Sequence, residues 1–188
     1  MKELSSHFLD IIENSLKACA STISLSICAH IDKNLLEAVI EDDGIGMDAE
    51  TLQKVSDPFY TSRKTRKIGL GIPLYREACL ASGGTFEIHS EPGKGTRIRA
   101  CFEISHVDRL PLGNMGETVV AVVCNVHFKR LIITLSNNLE RFVLDTDQIK
   151  KIIEPVEISN PEVLCWLKQY VDENVNKIFG GVLDEITG

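Results

Sequence analysis

Asp10 and Asn14 stand four residues apart in the segment DIIENSLKACA, and Lys17 follows three residues later. In a helix this spacing places the three side chains along one edge, because residues three and four apart are neighbours on a helix surface. They would present a carboxylate, an amide and an ammonium group to whatever lies over that edge. By itself such an edge is usually a solvated helix face, so its meaning depends on the rest of the sequence.

Asp42 is a second polar residue in an informative position, because it follows an alternating apolar and polar segment. Leu36, Ala38 and Ile40 share one face of the predicted strand, and the period of two places Asp42 on that face. Asp43 then points the opposite way. A carboxylate on the covered side of a sheet is costly without a hydrogen-bond donor. Asp42 therefore has either a structural partner or a ligand.

The glycine motifs do not identify a ligand when each is taken alone. DDGIG after a strand is typical of a turn. GLG lacks the third glycine of a dinucleotide-binding motif, and PGKGT lacks the upstream glycine of a P-loop. DDGIGMDAE does not have the ligand spacing of a calcium-binding loop.

The periodicities predict an α+β fold with the helices on one face of a mostly antiparallel sheet. An amphipathic helix is expected over residues 3–19, and two alternating strands then form a hairpin. A short helix at 48–55 with Asp48 as N-cap precedes a loop and a further helix that ends at Gly83 and Gly84. A second hairpin follows, with its turn at Pro92-Gly93.

The C-terminal part is predicted to be a small α/β domain of unknown role. Strands are expected at 118–126, 129–136 and 140–145, followed by a helix capped by Asp145 and a last helix capped by Asn160. The resulting predicted division is an N-terminal domain at 1–104, a linker at 105–116 and the C-terminal domain at 117–188.

Composition narrows the class of protein. The 188 residues are 44% hydrophobic, which is enough for a core, and the formal charge of −7 argues against a nucleic-acid partner. No apolar run has the length of a membrane span, and the N-terminus lacks a signal-peptide pattern. The six cysteines form no C-x-x-C pair and lie mostly within apolar patterns. We interpret them as reduced core residues of a cytoplasmic protein without a membrane partner.

The order of the motifs is more specific than any one of them. Five motifs follow one another along the chain: a helix with an asparagine, D-x-G-x-G after a strand, P-F-Y, G-x-G at the start of a helix, and a final G-x-G-T hairpin. This order resembles the GHKL ATP-binding family, which includes gyrase B, the heat-shock chaperone ATPases, sensor histidine kinases and MutL. The resemblance covers about residues 1–104. It implies a two-layer α/β sandwich of the Bergerat type that binds ATP with Mg²⁺.

The resemblance also implies roles for individual residues. Asn14 matches the asparagine that holds Mg²⁺ against the phosphates, and Asp42 matches the acid that accepts a hydrogen bond from the adenine amino group. Lys17 resembles the lysine with which histidine kinases contact a phosphate. Asp10 occupies the place of a catalytic glutamate in hydrolysing members and in serine-kinase anti-sigma factors, so it is the candidate general base.

Further nucleotide contacts follow from the same resemblance. In the loop after the strand, two glycines let the backbone approach the base, and Met47 packs on the base. A threonine binds adenine through water. An aromatic residue precedes the loop that forms the lid of the site, and a second glycine motif after that loop receives the phosphates. These residues are Gly44, Gly46, Met47, Thr96, Phe59, Gly69, Leu70 and Gly71. Lys67 stands where many histidine kinases have glycine. It belongs to a basic loop that either clamps the γ-phosphate or is simply solvated.

The favoured function is a slow ATPase or a protein kinase that acts in trans on a separate partner or phosphoacceptor in signal transduction. Too few residues precede the asparagine helix for a phosphoacceptor helix hairpin, so we expect a stand-alone histidine-kinase-like ATPase domain. The alternative is a non-catalytic, ATP-responsive switch. The shorter side chain of Asp10, one methylene less than glutamate, supports the switch, whereas its spacing and the intact asparagine motif support the enzyme. The C-terminal pattern resembles small ATP-binding proteins of anaerobes, some encoded beside iron-hydrogenase subunits, which implies a redox-enzyme subunit as one candidate partner.

Overall fold

The computed structural model describes residues 3–56, 70–180 and 183. In chain order its helices and strands are α1 (Leu4–Lys17), β1 (Thr22–His30), β2 (Leu35–Asp42), α2 (Ala49–Ser56), α3 (Gly71–Ala81), β3 (Thr85–Glu91), β4 (Gly95–Glu103), α4 (Met115–Val123), β5 (Arg130–Asn137), β6 (Arg141–Asp145), α5 (Thr146–Ile153) and α6 (Pro161–Phe179).

The strands form one six-stranded sheet in the order β3-β4-β2-β1-β5-β6. All neighbouring strands are antiparallel except β1 and β5, which are parallel. Along β1 the buried residues alternate with half-exposed ones, so only one face of the sheet is covered. Helices α1, α3, α4 and α6 form the second layer. The predicted α+β two-layer sandwich is therefore confirmed.

Local sequence signals explain most of the element boundaries. The apolar stripe of α1, including Leu4, Phe8 and Ile12, is fully buried against the sheet and neighbouring helices. Asp48 begins α2, since its carboxylate accepts a hydrogen bond from the amide of Thr51 at 2.7 Å. The predicted caps of the last two helices, Asp145 and Asn160, are confirmed as well.

The strand predicted at 118–126 is wrong, because these residues belong largely to helix α4. The Asn114 side chain accepts a hydrogen bond from the amide of Glu117 at 2.8 Å and so starts the helix. Met115, Val119 and Val122 then lie buried on one helical face, packed with α1 and α6. The β-branched residues favour a strand by propensity, but helix packing overrides that weak preference.

The C-terminal part shares the sheet and core of the N-terminal part. The predicted strands β5 and β6 are confirmed, and β5 pairs directly with β1 instead of starting a sheet of its own. Residues 105–114 carry no helix or strand, yet they are fixed: the amide of Leu4 donates to the carbonyl of Pro111 at 2.9 Å. The buried Arg109 guanidinium donates to the carbonyls of Ile104 and Leu183. The proposed domain boundaries stay a prediction.

The cysteines are only partly core residues. Cys79 and Cys101 are buried, and burial raises the pKa of the Cys79 thiol to about 12. Cys19, Cys124 and Cys165 are exposed, so their predicted core positions are wrong. All six cysteines are free thiols. Among the described helices, none combines the length and apolar character that a membrane span requires.

His7 and Tyr75 join α1 to α3 inside the core, with their ring centroids 5.5 Å apart. Both side chains are buried, and neither His7 Nδ1 nor the Tyr75 hydroxyl has a hydrogen-bond partner among the described residues. Burial lowers the pKa of His7 to about 4, so the ring is neutral at pH 7. The Tyr75 hydroxyl is a cost to the folded state.

We expect Tyr75→Phe to raise the free energy of unfolding by about 1 kcal/mol, because it removes a buried hydroxyl to which the described residues give no hydrogen-bond partner. Urea unfolding at pH 7 measures the change. Tyr170→Phe is the matched control, since the Tyr170 ring is partly exposed; it should change stability by less than about 0.5 kcal/mol. A clear loss of stability in Tyr75→Phe would show that the hydroxyl is hydrogen-bonded after all.

Candidate functional site

A cavity of about 200 Å³ lies between α1, the loop after β2, α2, the start of α3 and strand β4. Its wall contains many of the residues that the sequence predicts to bind a nucleotide: Asn14, Asp42, Gly46, Met47 and Thr96. The remaining wall is mostly apolar and is formed by Ile11, Ser15, Ala18, Thr51, Val55, Ile72 and Ile98. The structure therefore places sequence-distant residues around one space.

Asp42 is the polar centre of this wall. Its Oδ2 atom accepts a hydrogen bond of 2.6 Å from the Ser15 hydroxyl of α1, and its Oδ1 atom accepts one of 2.9 Å from the amide of Gly44. The side chain therefore points to the helix side of the sheet, as the strand period predicts. A carboxylate has about four acceptor positions, so these two bonds orient the group without using its capacity.

The neighbouring acid has a different part in the fold. Asp43 Oδ1 accepts hydrogen bonds from the amides of Ser21 and Thr22 at 2.6 and 2.8 Å. Its carboxylate is thus occupied by the start of β1. The two adjacent acids of the DDGIG motif divide into one that faces the cavity and one that closes a turn.

Two glycines let the loop after β2 fit between α1 and the β3–β4 hairpin. Gly46 has a φ of +65°, and a Cβ atom there would lie 2.0 Å from the carbonyl oxygen of Glu91. A Cβ atom on Gly44 would lie 2.8 Å from the carbonyl oxygen of Ala18. The D-x-G-x-G spacing is therefore required by the close approach of backbone on both sides.

Ser90 connects this loop to the hairpin. Its hydroxyl accepts a hydrogen bond from the amide of Met47 at 2.8 Å and donates to the carbonyl of Gly95 at 2.9 Å. It also contacts the Thr96 hydroxyl at 3.0 Å, and Thr96 pairs with Asp42 across β2 and β4. The predicted base-contacting residues Met47 and Thr96 are thus held by one serine.

Asp10 lies beside the first residue of α3. A Cβ atom on Gly71 would be 2.9 Å from the Asp10 Cβ, so the two elements touch at this point. Burial raises the pKa of the half-buried Asp10 carboxyl, and the charge of Glu13 raises it further, whereas Lys17 acts in the opposite direction. Asp10 therefore holds its proton more tightly than an exposed aspartate.

The other predicted residues are less closely tied to the cavity. Lys17 is exposed and forms an ion pair with Glu13 at 3.4 Å. Leu70 precedes α3 as its N-cap residue and offers no side chain to cap the helix. Phe59, Lys67 and Gly69 lie outside the described residues. In the described part of the chain, no group of three or more His, Cys, Asp or Glu side chains could by itself hold a metal ion.

Sequence reasoning missed Ser15 and Ser90, although each left a signal. Ser15 lies within the apolar stripe of α1, and Ser90 lies on the face of β3 that Phe86 and Ile88 turn to the core. A hydroxyl at a position where the pattern favours an apolar residue needs a local partner. Here the partners are Asp42 and the backbone of the D-x-G-x-G loop.

Residues 2–106 match the family described as Histidine kinase-, DNA gyrase B-, and HSP90-like ATPase. This match covers more than half of the chain, and every residue that lines the cavity lies within it. The protein belongs to this ATPase family.

The relatives include sensor kinases of bacteria. The chain is 36% identical over 96 residues to the sensor histidine kinase WalK of Bacillus subtilis (strain 168), covering 47% of this chain and 16% of that protein. It is 33% identical over 88 residues to the sensor protein kinase FleS of Pseudomonas aeruginosa, covering 47% and 22%. The chain thus spans less than a third of the length of the curated relatives it matches.

One solved structure extends the likeness beyond the family match. The N-terminal domain of a DNA repair protein aligns with a TM-score of 0.53 at 10% identity, covering 84% of this chain and 59% of that chain. At this identity the likeness concerns the fold alone. It is consistent with a C-terminal part that continues the same architecture.

We expect Gly46→Ala to destabilise the protein by several kcal/mol more than Gly93→Ala. Both glycines have a positive φ, but a Cβ atom on Gly93 would meet nothing within 4 Å. The left-handed conformation costs about 1–2 kcal/mol in either variant, and only Gly46→Ala adds a clash with backbone. Urea unfolding of both variants measures the difference. Equal losses would mean that the loop can move away from the hairpin without cost.

Proposed function

We propose that the chain binds Mg-ATP in this cavity and acts as a slow ATPase or as a protein kinase on a separate protein. The observation that supports this most directly is the oriented Asp42 carboxylate on a mostly apolar wall. A planar base needs apolar contact on its faces and a few fixed polar groups at its edge. The cavity offers both.

The adenine end would lie against Asp42. The carboxylate keeps acceptor positions beyond the two bonds to Ser15 and Gly44, so it can accept a hydrogen bond from the adenine amino group. Guanine has a carbonyl oxygen at that position, which a carboxylate repels. Met47 and Ile98, which both line the cavity, supply apolar contact to the base. The site therefore favours ATP over GTP.

The phosphate end would lie along the polar edge of α1. Among the described residues the Asn14 side chain has no hydrogen-bond partner, and its amide oxygen is a suitable ligand for a hard cation. Mg²⁺, when bound there, supplies neutralisation of phosphate charge. The first turn of α3 has no side-chain cap, so its amide groups can bind a phosphate. Lys17 can also bind a phosphate, because its ion pair with Glu13 is exposed and easily given up.

Asp10 would accept the proton of a water molecule or an acceptor hydroxyl. Its raised pKa makes the carboxylate a better proton acceptor than an exposed aspartate, provided that it is ionised at the working pH. The non-catalytic switch is the second candidate, and the contact between Asp10 and Gly71 favours it. In that reading Asp10 transmits the position of α3 to α1 and touches no reacting atom.

The biological role and the cellular compartment of this activity are also part of the proposal. The relatives named above are sensor kinases, which supports a role in signal transduction with a separate protein partner. The exposed free thiols of Cys19, Cys124 and Cys165 fit a reducing compartment such as the cytoplasm. The redox-enzyme partner implied by the C-terminal resemblance stays a prediction.

We expect Asn14→Ala to weaken ATP binding in the presence of Mg²⁺ by roughly tenfold or more, since a charge-assisted contact contributes about 1.5–3 kcal/mol. Binding calorimetry with Mg²⁺ and with a chelator measures the effect. Asn176→Ala, which changes an exposed asparagine in α6, is the matched control and should bind ATP normally. Unchanged affinity in Asn14→Ala would remove this residue from the site.

We expect Asp10→Asn to bind ATP normally and to lose most phosphate release or transfer. In the unmodified protein, activity should fall as the pH falls through the pKa of Asp10, which lies above the ordinary value of 3.8 because burial and Glu13 disfavour the charged form. Glu13→Gln should move this decline to lower pH, since it removes one of the two causes. Binding without any turnover in the parent protein and in every variant would favour the switch.

A further inference from the structure

An apolar groove lies between α5 and α6, at the opposite edge of the sheet from the β3–β4 hairpin. It has a volume of about 320 Å³. We call it the α5–α6 groove. The residues that line it are Ile149, Ile152, Ile153, Glu162, Val163 and Trp166. None of these residues belongs to the candidate ATP site, and the function proposed above does not use them.

The groove exposes large apolar side chains to water. Ile152 is 81% exposed and Trp166 is 46% exposed, and Val156 in the connecting loop is also exposed. The Trp166 ring stacks on Tyr170 at 5.0 Å, and Tyr170 packs edge-on against Phe142 of β6. The tryptophan is therefore held in place by other rings. Anchored aromatic groups beside an open apolar groove are typical of a protein-binding surface.

Three acidic side chains lie in the groove or in the loop beside it, and we call them the acidic rim. Glu162 lines the groove, whereas Glu154 and Glu157 lie in the loop that connects α5 and α6. All three are exposed and form no ion pair within the described part of the chain. Lys151 is the exposed cation of α5, whereas Lys150 is engaged by Asp147 and by the ring of Phe128. Three carboxylates without an ion pair in and beside an apolar groove favour a partner whose apolar side chains are flanked by Lys and Arg.

We infer that the α5–α6 groove binds an amphipathic helix of another protein, with apolar residues at i, i+3, i+4 and i+7 and basic residues beside them. Two helices with an apolar furrow between them suit the helix-in-groove mode of recognition. A second copy of this chain would bring two acidic rims together, and an anionic membrane would meet the same carboxylates, so charge disfavours both. This inference is independent of ATP binding.

Trp166 provides the test, because it is the sole tryptophan of the chain and lies in the groove. The probe is a synthetic helical peptide with leucine at the four apolar positions and lysine elsewhere. We expect a saturable blue shift of Trp166 emission. Two control peptides should each bind at least roughly tenfold more weakly. One has glutamate in place of lysine, and the other has the leucines and lysines in scrambled order.

Variants separate the groove from general attraction to an acidic protein. Ile152→Ser and Glu162→Lys should each lower the affinity for the lysine peptide by roughly tenfold. Val126→Ser is the control for apolar exposure, since Val126 is 91% exposed in the loop before β5. Glu77→Lys on α3 is the control for net charge. Both controls should bind the peptide within about twofold of the parent protein, as should Asn14→Ala.

Several outcomes would overturn the inference. Equal loss of binding in Glu77→Lys and Glu162→Lys would show non-specific attraction, and equal binding of the glutamate peptide would exclude the acidic rim as the determinant. A dimer in sedimentation that Ile152→Ser abolishes would assign the groove to a second copy of the chain. The same blue shift with anionic phospholipid vesicles would assign it to a membrane surface.

Discussion

The hydrogen bond between Ser15 and Asp42 is the contact on which the candidate site depends. At 2.6 Å it joins the helical layer to the sheet at the end of β2. Without Ser15, the Oδ2 atom of Asp42 would lose its donor, and without Asp42 the buried Ser15 hydroxyl would keep only the longer bond of 3.4 Å to the carbonyl of Ile11, so either loss is costly. The carboxylate also receives the Gly44 amide, so the same side chain fixes the loop that follows. That loop in turn rests on the hairpin through Met47 and Ser90.

Much of the fold could be predicted because its signals are local. Strict alternation identified the strands, and the side chains of Asp48, Asp145 and Asn160 identified helix starts. Helix α4 could not be predicted in this way, because the preference of its valines for a strand competes with packing between α1 and α6. The pairing of β5 with β1 is equally inaccessible, since no local pattern specifies a partner about a hundred residues away.

The candidate site was predictable to the extent that geometry follows from period and order. The position of Asp42 on the helix side follows from the two-residue repeat alone, and the structure places it there. The clustering of Asn14, Met47 and Thr96 around the same cavity was expected only through family resemblance. The tie to Ser15 and the hydrogen bonds of Ser90 depend on packing distances that a sequence does not contain.

Strand β1 links the residues that match the family to the rest of the sheet. Residues Ile23 to Ala29 are paired with β2 on one side and with β5 on the other. A chain cut at the end of the family match, residue 106, would turn this strand into an open edge and would lack the buried side chains of Leu131 and Ile133. Such edges template aggregation. The stretch that carries the family pattern is therefore shorter than the stretch of polypeptide that forms the sheet.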